Sequence, residues 1–147
     1  ESKEAFGLEI LDIYFAESRE IINDTLLNDA KPPLKRLRAW IDCNAARGEA
    51  NGFRRGCLIG NFTAEAGTHG EAMRKRLNEI YAEIRAAIAT CLKAAVKAGE
   101  LPKGFDVVDT AGFIFSSMQG ATLIAKAEGD DAAIGRFKKM LFGKVLR

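Results

Sequence analysis

The feature that most constrains this fold is the segment 70–98, in which apolar residues recur at steps of three and four. The repeating residues are Met73, Leu77, Ile80, Ile84, Ile88, Cys91 and Ala95. This spacing places them on one face of an α-helix, whereas a strand would divide them between two faces. No segment of the chain sustains an alternation of apolar and polar residues, so the sequence predicts no sheet. We therefore expect an all-α protein built around one long helix.

Breakers and capping residues divide the rest of the chain into five further helices. Ser2, Asp106 and Asp130 are N-cap types, whereas Pro33 and Gly99 are typical of a helix start and a helix end. The predicted helices span residues 2–28, 33–47, 57–66, 70–98, 106–127 and 130–145. The apolar face expected for the first helix comprises Phe6, Ile10, Ile13, Tyr14, Ile21 and Leu26. The sequence therefore predicts a six-helix bundle that forms one domain, residues 1–147.

Composition excludes several classes of function. The 147 residues carry a net charge of only +2, which is too small for strong binding of nucleic acid by this chain alone. No apolar run approaches the length of a membrane span, so we expect no contact with a membrane. Three cysteines without CxxC spacing favour reduced thiols in a cytoplasm over a disulfide framework or a zinc site. No catalytic motif is present, so we expect that the protein is not an enzyme. We also expect that it binds no metal and no cofactor.

The fifth predicted helix is unusually apolar, since Asp109 is its only charge between Val107 and Ala125. Such a helix needs cover on most sides. One explanation is a central core helix of a monomer. The other is a homodimer in which the fifth and sixth helices pack against their copies around a two-fold axis. The residues predicted to lie in this interface are Gly112, Ser116, Gly120, Ile134, Phe137 and Leu141.

Several segments resemble the TetR-type transcriptional repressors. The start Ser2-Lys3-Glu4-Ala5-Phe6 resembles the junction that follows the helix-turn-helix in that family, and Gly56-Cys57-Leu58-Ile59-Gly60-Asn61 resembles its "G-C-L-x-x-N" segment. The turn Gly99-Glu100-Leu101, with Asp109, Ala111 and Gly120-Ala121 after it, resembles the approach to the family's dimerisation helix. The Gly-Cys-Leu segment and Ala125-Lys126 are most similar to its electrophile-responsive repressors.

This resemblance implies an effector-binding and dimerisation domain whose DNA-binding helix-turn-helix would precede residue 2. Because the chain lacks an initiator Met and opens at a helix start, we expect that an amino-terminal piece is missing. Operator DNA would then be bound only through that piece, by a dimer. The effector would be a small apolar or electrophilic molecule. The alternative function is a helical dimerisation scaffold without a small-molecule ligand.

Cys57 is the candidate for chemistry. It follows Arg54 and Arg55 and opens a short helix, and both settings favour a thiolate. The alternative is a small buried core residue. For Cys43 and Cys91, which lie among apolar neighbours, we expect the core role.

The other candidate ligand-binding residues each have an ordinary structural alternative. Asn61 could orient a ligand or bond a neighbouring helix, and Lys126 could reach Cys57 or simply complement a helix dipole. The residues that could line a cavity or simply fill the core are Trp40, Tyr81, Phe113 and Ser117.

Overall fold

The computed structural model describes residues 2–147, and these form helices without any strand. Six α-helices follow one another in the chain: α1 (Lys3–Asp24), α2 (Pro33–Glu49), α3 (Leu58–Ala64), α4 (Glu71–Lys97), α5 (Val107–Glu128) and α6 (Ala132–Met140). The chain continues from α6 into a π-helical segment, Leu141–Val145. The predicted all-α fold is confirmed.

Local sequence explains most of these boundaries. The Ser2 side chain accepts a hydrogen bond from the Ala5 amide, and Asp106 accepts from the first amides of α5, so both are N-caps as predicted. At the end of α5, Gly129 adopts a φ of +77°, a left-handed conformation that glycine reaches without strain. The cap of α6 is Asp131 rather than Asp130, although the Asp130 carboxylate accepts from the Ala132 amide.

The long helix α4 is the centre of the molecule, as its periodicity predicts. It packs against α1, α2 and α5, and its inward face is almost completely shielded from solvent. Ion pairs also join it to α1, between Arg19 and Glu83 at 2.6 Å and between Arg76 and Asp12 at 2.6 Å. The first helix is therefore attached to the central helix along much of its length.

The prediction of which residues form the buried face of α1 was largely wrong. Phe6 and Ile13 are 60% and 58% exposed, whereas Leu11 and Phe15 are completely buried. The helix also ends at Asp24, four residues earlier than expected, and turns follow it. Apolar residues occur on two sides of this helix, and packing against α4 selects the side that periodicity alone could not distinguish.

Helix α5 is not the central core helix of a monomer. Within one chain only Ala111, Ile114 and Ala125 are buried on it, and large side chains such as Phe113 and Leu123 are about half exposed. Gly112 and Gly120 face open space, since a Cβ at either position would meet no atom within 4 Å. One apolar side of α5 is thus uncovered in a single chain.

The apolar stripe of α6 faces inward, contrary to the predicted interface. Leu141 is 1% exposed in the main core, Ile134 is buried against Phe53 and Ala125, and Phe137 is half-buried against the main core. Ile134 and Leu141 therefore hold α6 and the segment after it against their own chain, so their predicted place in the interface was wrong. The other predicted interface residues remain available to a partner, at least in part: Gly112, Ser116, Gly120 and Phe137.

Candidate functional site

A cavity of about 610 Å³ lies among α1, α2, α4 and α5 and is closed on one side by the loop before α3. This volume is within the range of sites that hold small organic molecules. The lining residues are Tyr14, Ser18, Ile22, Trp40, Asn44, Arg47, Gly48, Asn51, Arg54, Arg55, Gly56, Cys57, Leu58, Ile59, Asn61, Ile84, Phe115, Met118, Gln119, Thr122 and Lys126.

A second cavity of about 310 Å³ adjoins the first between α3, α4 and α5. Cys57, Asn61, Phe115 and Gln119 belong to the walls of both cavities. Among residues 2–147, Lys126 is the one charged residue that lines the smaller cavity. The rest of its wall is formed by Gly56, Gly60, Thr63, Ala64, Tyr81, Ser116, Gly120, Thr122 and Leu123.

Cys57 lies in the wall that the two cavities share. It is the N-cap residue of α3, and its side chain is half-buried. The Tyr14 hydroxyl donates to Cys57 Sγ at 3.8 Å, and the Gln119 side-chain amide donates to the same sulfur at 3.9 Å. Helices α1 and α5 therefore both contact the thiol, and a group added to Cys57 would displace side chains of both.

Burial governs the electrostatics of Tyr14. Desolvation is the main cause that raises the pKa of Tyr14 to about 12, and the nearby Cys57 adds to the increase, whereas Arg47 opposes it. The Arg47 guanidinium lies 4.8 Å from the centre of the Tyr14 ring, which is a cation–π distance. Tyr14 is therefore a neutral hydrogen-bond donor toward the thiol at physiological pH.

Asn61 and Lys126 join α3 to α5. The Asn61 amide nitrogen donates to the Arg55 carbonyl at 2.9 Å, and its oxygen accepts from Lys126 Nζ at 3.0 Å. Gly56 allows this arrangement, because it has a φ of +63° and a Cβ there would lie 3.0 Å from Lys126 Cδ. Lys126 thus does more than complement a helix dipole, since it holds the loop before α3 against α5.

The structure separates the predicted lining residues. Trp40 lies in the wall of the larger cavity and Tyr81 in that of the smaller one. Phe113 is 48% exposed and lies in a shallow groove on the outer side of α5, and Ser117 lines neither cavity. The predicted positions of Phe113 and Ser117 in a cavity wall were therefore wrong.

Helical geometry explains the error. The residues of α5 that line both cavities are Phe115, Gln119, Thr122 and Lys126, which follow one another at steps of three and four. A shift of two residues, from Phe115 to Phe113, rotates a side chain by roughly 200° around the helix.

The sequence does not place at the site the side chains that surround Cys57: Tyr14, expected only on an apolar helix face, Gln119, and Arg47, which stacks on Tyr14. The available signal was a pair of polar side chains, Tyr14 and Ser18, one turn apart on α1. Arg47 donates to Ser18 Oγ at 3.5 Å and so joins α2 to this pair.

The other cysteines differ from each other. Cys91 is buried as expected, and its thiol donates to the Pro33 carbonyl at 3.2 Å. Burial raises the pKa of Cys91 to about 11. Cys43 is exposed, so the core role expected for it was wrong. The buried face of α2 comprises Leu37, Trp40 and Ile41 instead.

The family follows from sequence and structural similarity. The family model described as "Tetracyclin repressor-like, C-terminal domain" matches residues 33–141. The chain belongs to the TetR family of transcriptional regulators. It is the regulatory domain of a TetR-like transcriptional repressor.

Two curated relatives and one solved structure resemble the chain. The HTH-type transcriptional repressor DhaR of Mycobacterium sp. (strain GP1) is 30% identical over 99% of the chain and 72% of the relative. The transcriptional regulator AcuR of Cereibacter sphaeroides is 29% identical over 86% of the chain, but the matched region spans only 58% of that relative. A crystal structure of regulatory protein TetR from Rhodobacter sphaeroides superposes with a TM-score of 0.92 and 28% identity, over 97% of this chain and 75% of that one.

TetR-family regulators bind operator DNA and act as dimers, and their family and fold are those of transcriptional regulators rather than enzymes. Residues 2–147 hold no group of three or more histidine, cysteine or carboxylate residues arranged to bind a metal ion. Over the same residues, no helix has both the length and the apolarity needed to cross a bilayer.

Proposed function

We propose that this TetR-type domain binds a small molecule in the paired cavities and thereby changes the affinity of its regulator for operator DNA. The observation that carries the proposal is the larger cavity, because its wall includes Tyr14 and Ser18 of α1. Helix α1 is the element closest to any DNA-binding segment that precedes this domain. The greater length of the relatives, both transcriptional regulators, is consistent with such a segment.

A ligand that displaces Tyr14 would move α1 relative to α2, and the ion pairs of α1 would carry the movement to α4. A coupling free energy of ~1–3 kcal/mol would change operator affinity about 5- to 150-fold. The alternative, a dimerisation scaffold without a ligand, predicts a filled interior. The cavity of about 610 Å³ argues against that alternative.

The effector chemistry that we propose is addition of Cys57 to an electrophile. The thiol loses its proton to solvent, the sulfur bonds to the β-carbon of an activated alkene, and the α-carbon then takes a proton. Cys57 is the cysteine that lines both cavities, which supports this assignment. Cys57 also lies in the Gly-Cys-Leu segment, which together with Ala125-Lys126 resembles the electrophile-responsive repressors.

The test measures operator binding by the full-length regulator before and after treatment with N-ethylmaleimide. We expect treatment to weaken binding of the wild type and of a Cys43→Ser variant, because Cys43 is exposed and lies outside both cavities. A Cys57→Ser variant should keep its operator affinity. An equal response in Cys57→Ser and wild type would remove Cys57 from the mechanism.

We also propose that the regulator is a homodimer through the uncovered side of α5, which includes Gly112, Ser116 and Gly120. Family membership and the exposed Leu123 support this assembly. Because Ser116, Gly120 and Leu123 also line the smaller cavity, a partner on this face would close that cavity from outside. Ligand binding and dimerisation would then influence each other.

A further inference from the structure

The wall of the larger cavity carries positive charge without any acidic residue. Arg47, Arg54, Arg55 and Lys126 line it, whereas none of the aspartates and glutamates within residues 2–147 does. The chain as a whole is nearly balanced, with 22 basic and 20 acidic residues, so this imbalance belongs to the cavity rather than to the overall composition. A recess lined by one sign of charge concentrates its electric field and attracts ions of the opposite sign.

Few protein groups neutralise these four side chains. None of the ion pairs formed within residues 2–147 includes Arg54, Arg55 or Lys126. Lys126 donates to an uncharged amide, that of Asn61. Arg47 meets a carboxylate at 3.1 Å, but that group belongs to Glu17, which is 65% exposed and lies outside the cavity wall.

The adjoining smaller cavity has the opposite character. Apart from Lys126, which belongs to both walls, it is lined by uncharged residues, including Tyr81, Phe115 and Leu123. An elongated ligand could therefore place an apolar body there and extend a charged group past Cys57 toward the arginines. The planar guanidinium fork matches the oxygens of a carboxylate or a phosphate.

We infer that the effector is an organic anion, with an apolar body in the smaller cavity and one carboxylate or phosphate group beside Arg47, Arg54 and Arg55. This inference rests on the proposed function, because it names the chemical class of ligand that the same cavities would take. The head group would lie near the cavity mouth, where Arg54 and Arg55 are exposed.

The test compares ligands with similar unbranched alkyl chains and different head groups: octanoate, octyl phosphate and the uncharged octanamide. Dissociation constants are measured by calorimetry on the whole chain. We expect one of the two anions to bind at least about tenfold more tightly than octanamide, as the loss of charge-assisted hydrogen bonds predicts. Raising the salt concentration should weaken binding of the anion and leave binding of octanamide unchanged.

Two double variants locate the charge effect. Replacing Arg54 and Arg55 with glutamine should abolish the preference for the anion, and neither side chain makes an ion pair whose loss would disturb folding. Replacing Arg74 and Lys75 with glutamine removes the same charge outside both cavities and should leave the preference intact.

Each outcome bears on the inference separately from the proposed function. A preference for octanoate or for octyl phosphate that disappears in the Arg54/Arg55 variant supports it and identifies the head group. Equal binding of octanamide and the anions overturns it while leaving a ligand-binding cavity. Binding of none of the three compounds also overturns it, and the N-ethylmaleimide experiment on Cys57 then still tests regulation by itself.

Discussion

Truncating Leu123 to alanine should weaken the proposed dimer without unfolding the chain. In one chain Leu123 is 51% exposed, so about half of its side chain is available for burial by a partner. Full burial of a leucine is worth about 1.5–3 kcal/mol, and half of it gives ~1 kcal/mol for each copy. A two-fold axis buries the residue twice, which makes ~2 kcal/mol for each dimer. The dimer dissociation constant should rise roughly 30-fold.

Sedimentation equilibrium over a range of protein concentrations measures this constant directly. Leu27 offers a matched control, because it is 45% exposed but lies in the turn after α1, away from α5. Leu27→Ala should leave the dimer constant unchanged. A change of less than about threefold in Leu123→Ala, or an equal change in both variants, would refute the assignment of the interface to α5.

Three further predictions concern individual side chains. At pH 8, iodoacetamide should alkylate the exposed Cys43 readily but the buried Cys91 far more slowly, as mass spectrometry of the peptides can measure. Burial raises the pKa of Cys91 from 9.0 to about 11, which lowers its own thiolate fraction, and burial also blocks access of the reagent. Because folding raises the pKa of Tyr14 from 10.0 to about 12, its contribution to stability is complete below pH 10 and is lost between pH 10 and 12. Tyr14→Phe should therefore show a flatter decline of melting temperature over that range, and an unchanged slope would contradict the burial argument. The Arg19 ion pair lowers the pKa of Glu83 below 4.5, so the stability that this pair contributes is present above pH 4.5 and is lost as pH falls below it. In Glu83→Gln, acid titration of the melting temperature should lack this component, and a profile identical to wild type would show that the pair contributes nothing.

Long, regular patterns were the most predictable part of this fold. The bounds of α4 differ from the expected 70–98 by one residue at each end, because its apolar residues have a single periodic face and Gly99 follows it. The faces of α1 and α6 were less predictable. Apolar residues such as Phe6 and Leu11 both fit a helical period, and only the position of α4 decides which of them is buried.

The site was predicted in part. Cys57, Asn61 and Lys126 do lie together, and the segment that carries the family resemblance contains two of them. Phe113 was misplaced because the rotation of α5 about its axis depends on its packing against α4 and α6, which the sequence does not reveal. Arg54 and Arg55 are predictable only as sequence neighbours of Cys57. Arg47 is not predictable at the site, since the sequence does not reveal that α2 brings it to the same cavity.

The most direct test of ligand-responsive regulation is the reciprocity of the two binding equilibria. Calorimetry would measure the dissociation constant of the tighter-binding anion, octanoate or octyl phosphate, for the full-length regulator alone and saturated with its operator DNA. If the cavity and the DNA-binding segment are coupled, DNA should weaken ligand binding by about 5- to 150-fold, the same factor by which the ligand weakens DNA binding. Equal dissociation constants with and without DNA would show that a ligand in this cavity does not regulate operator binding.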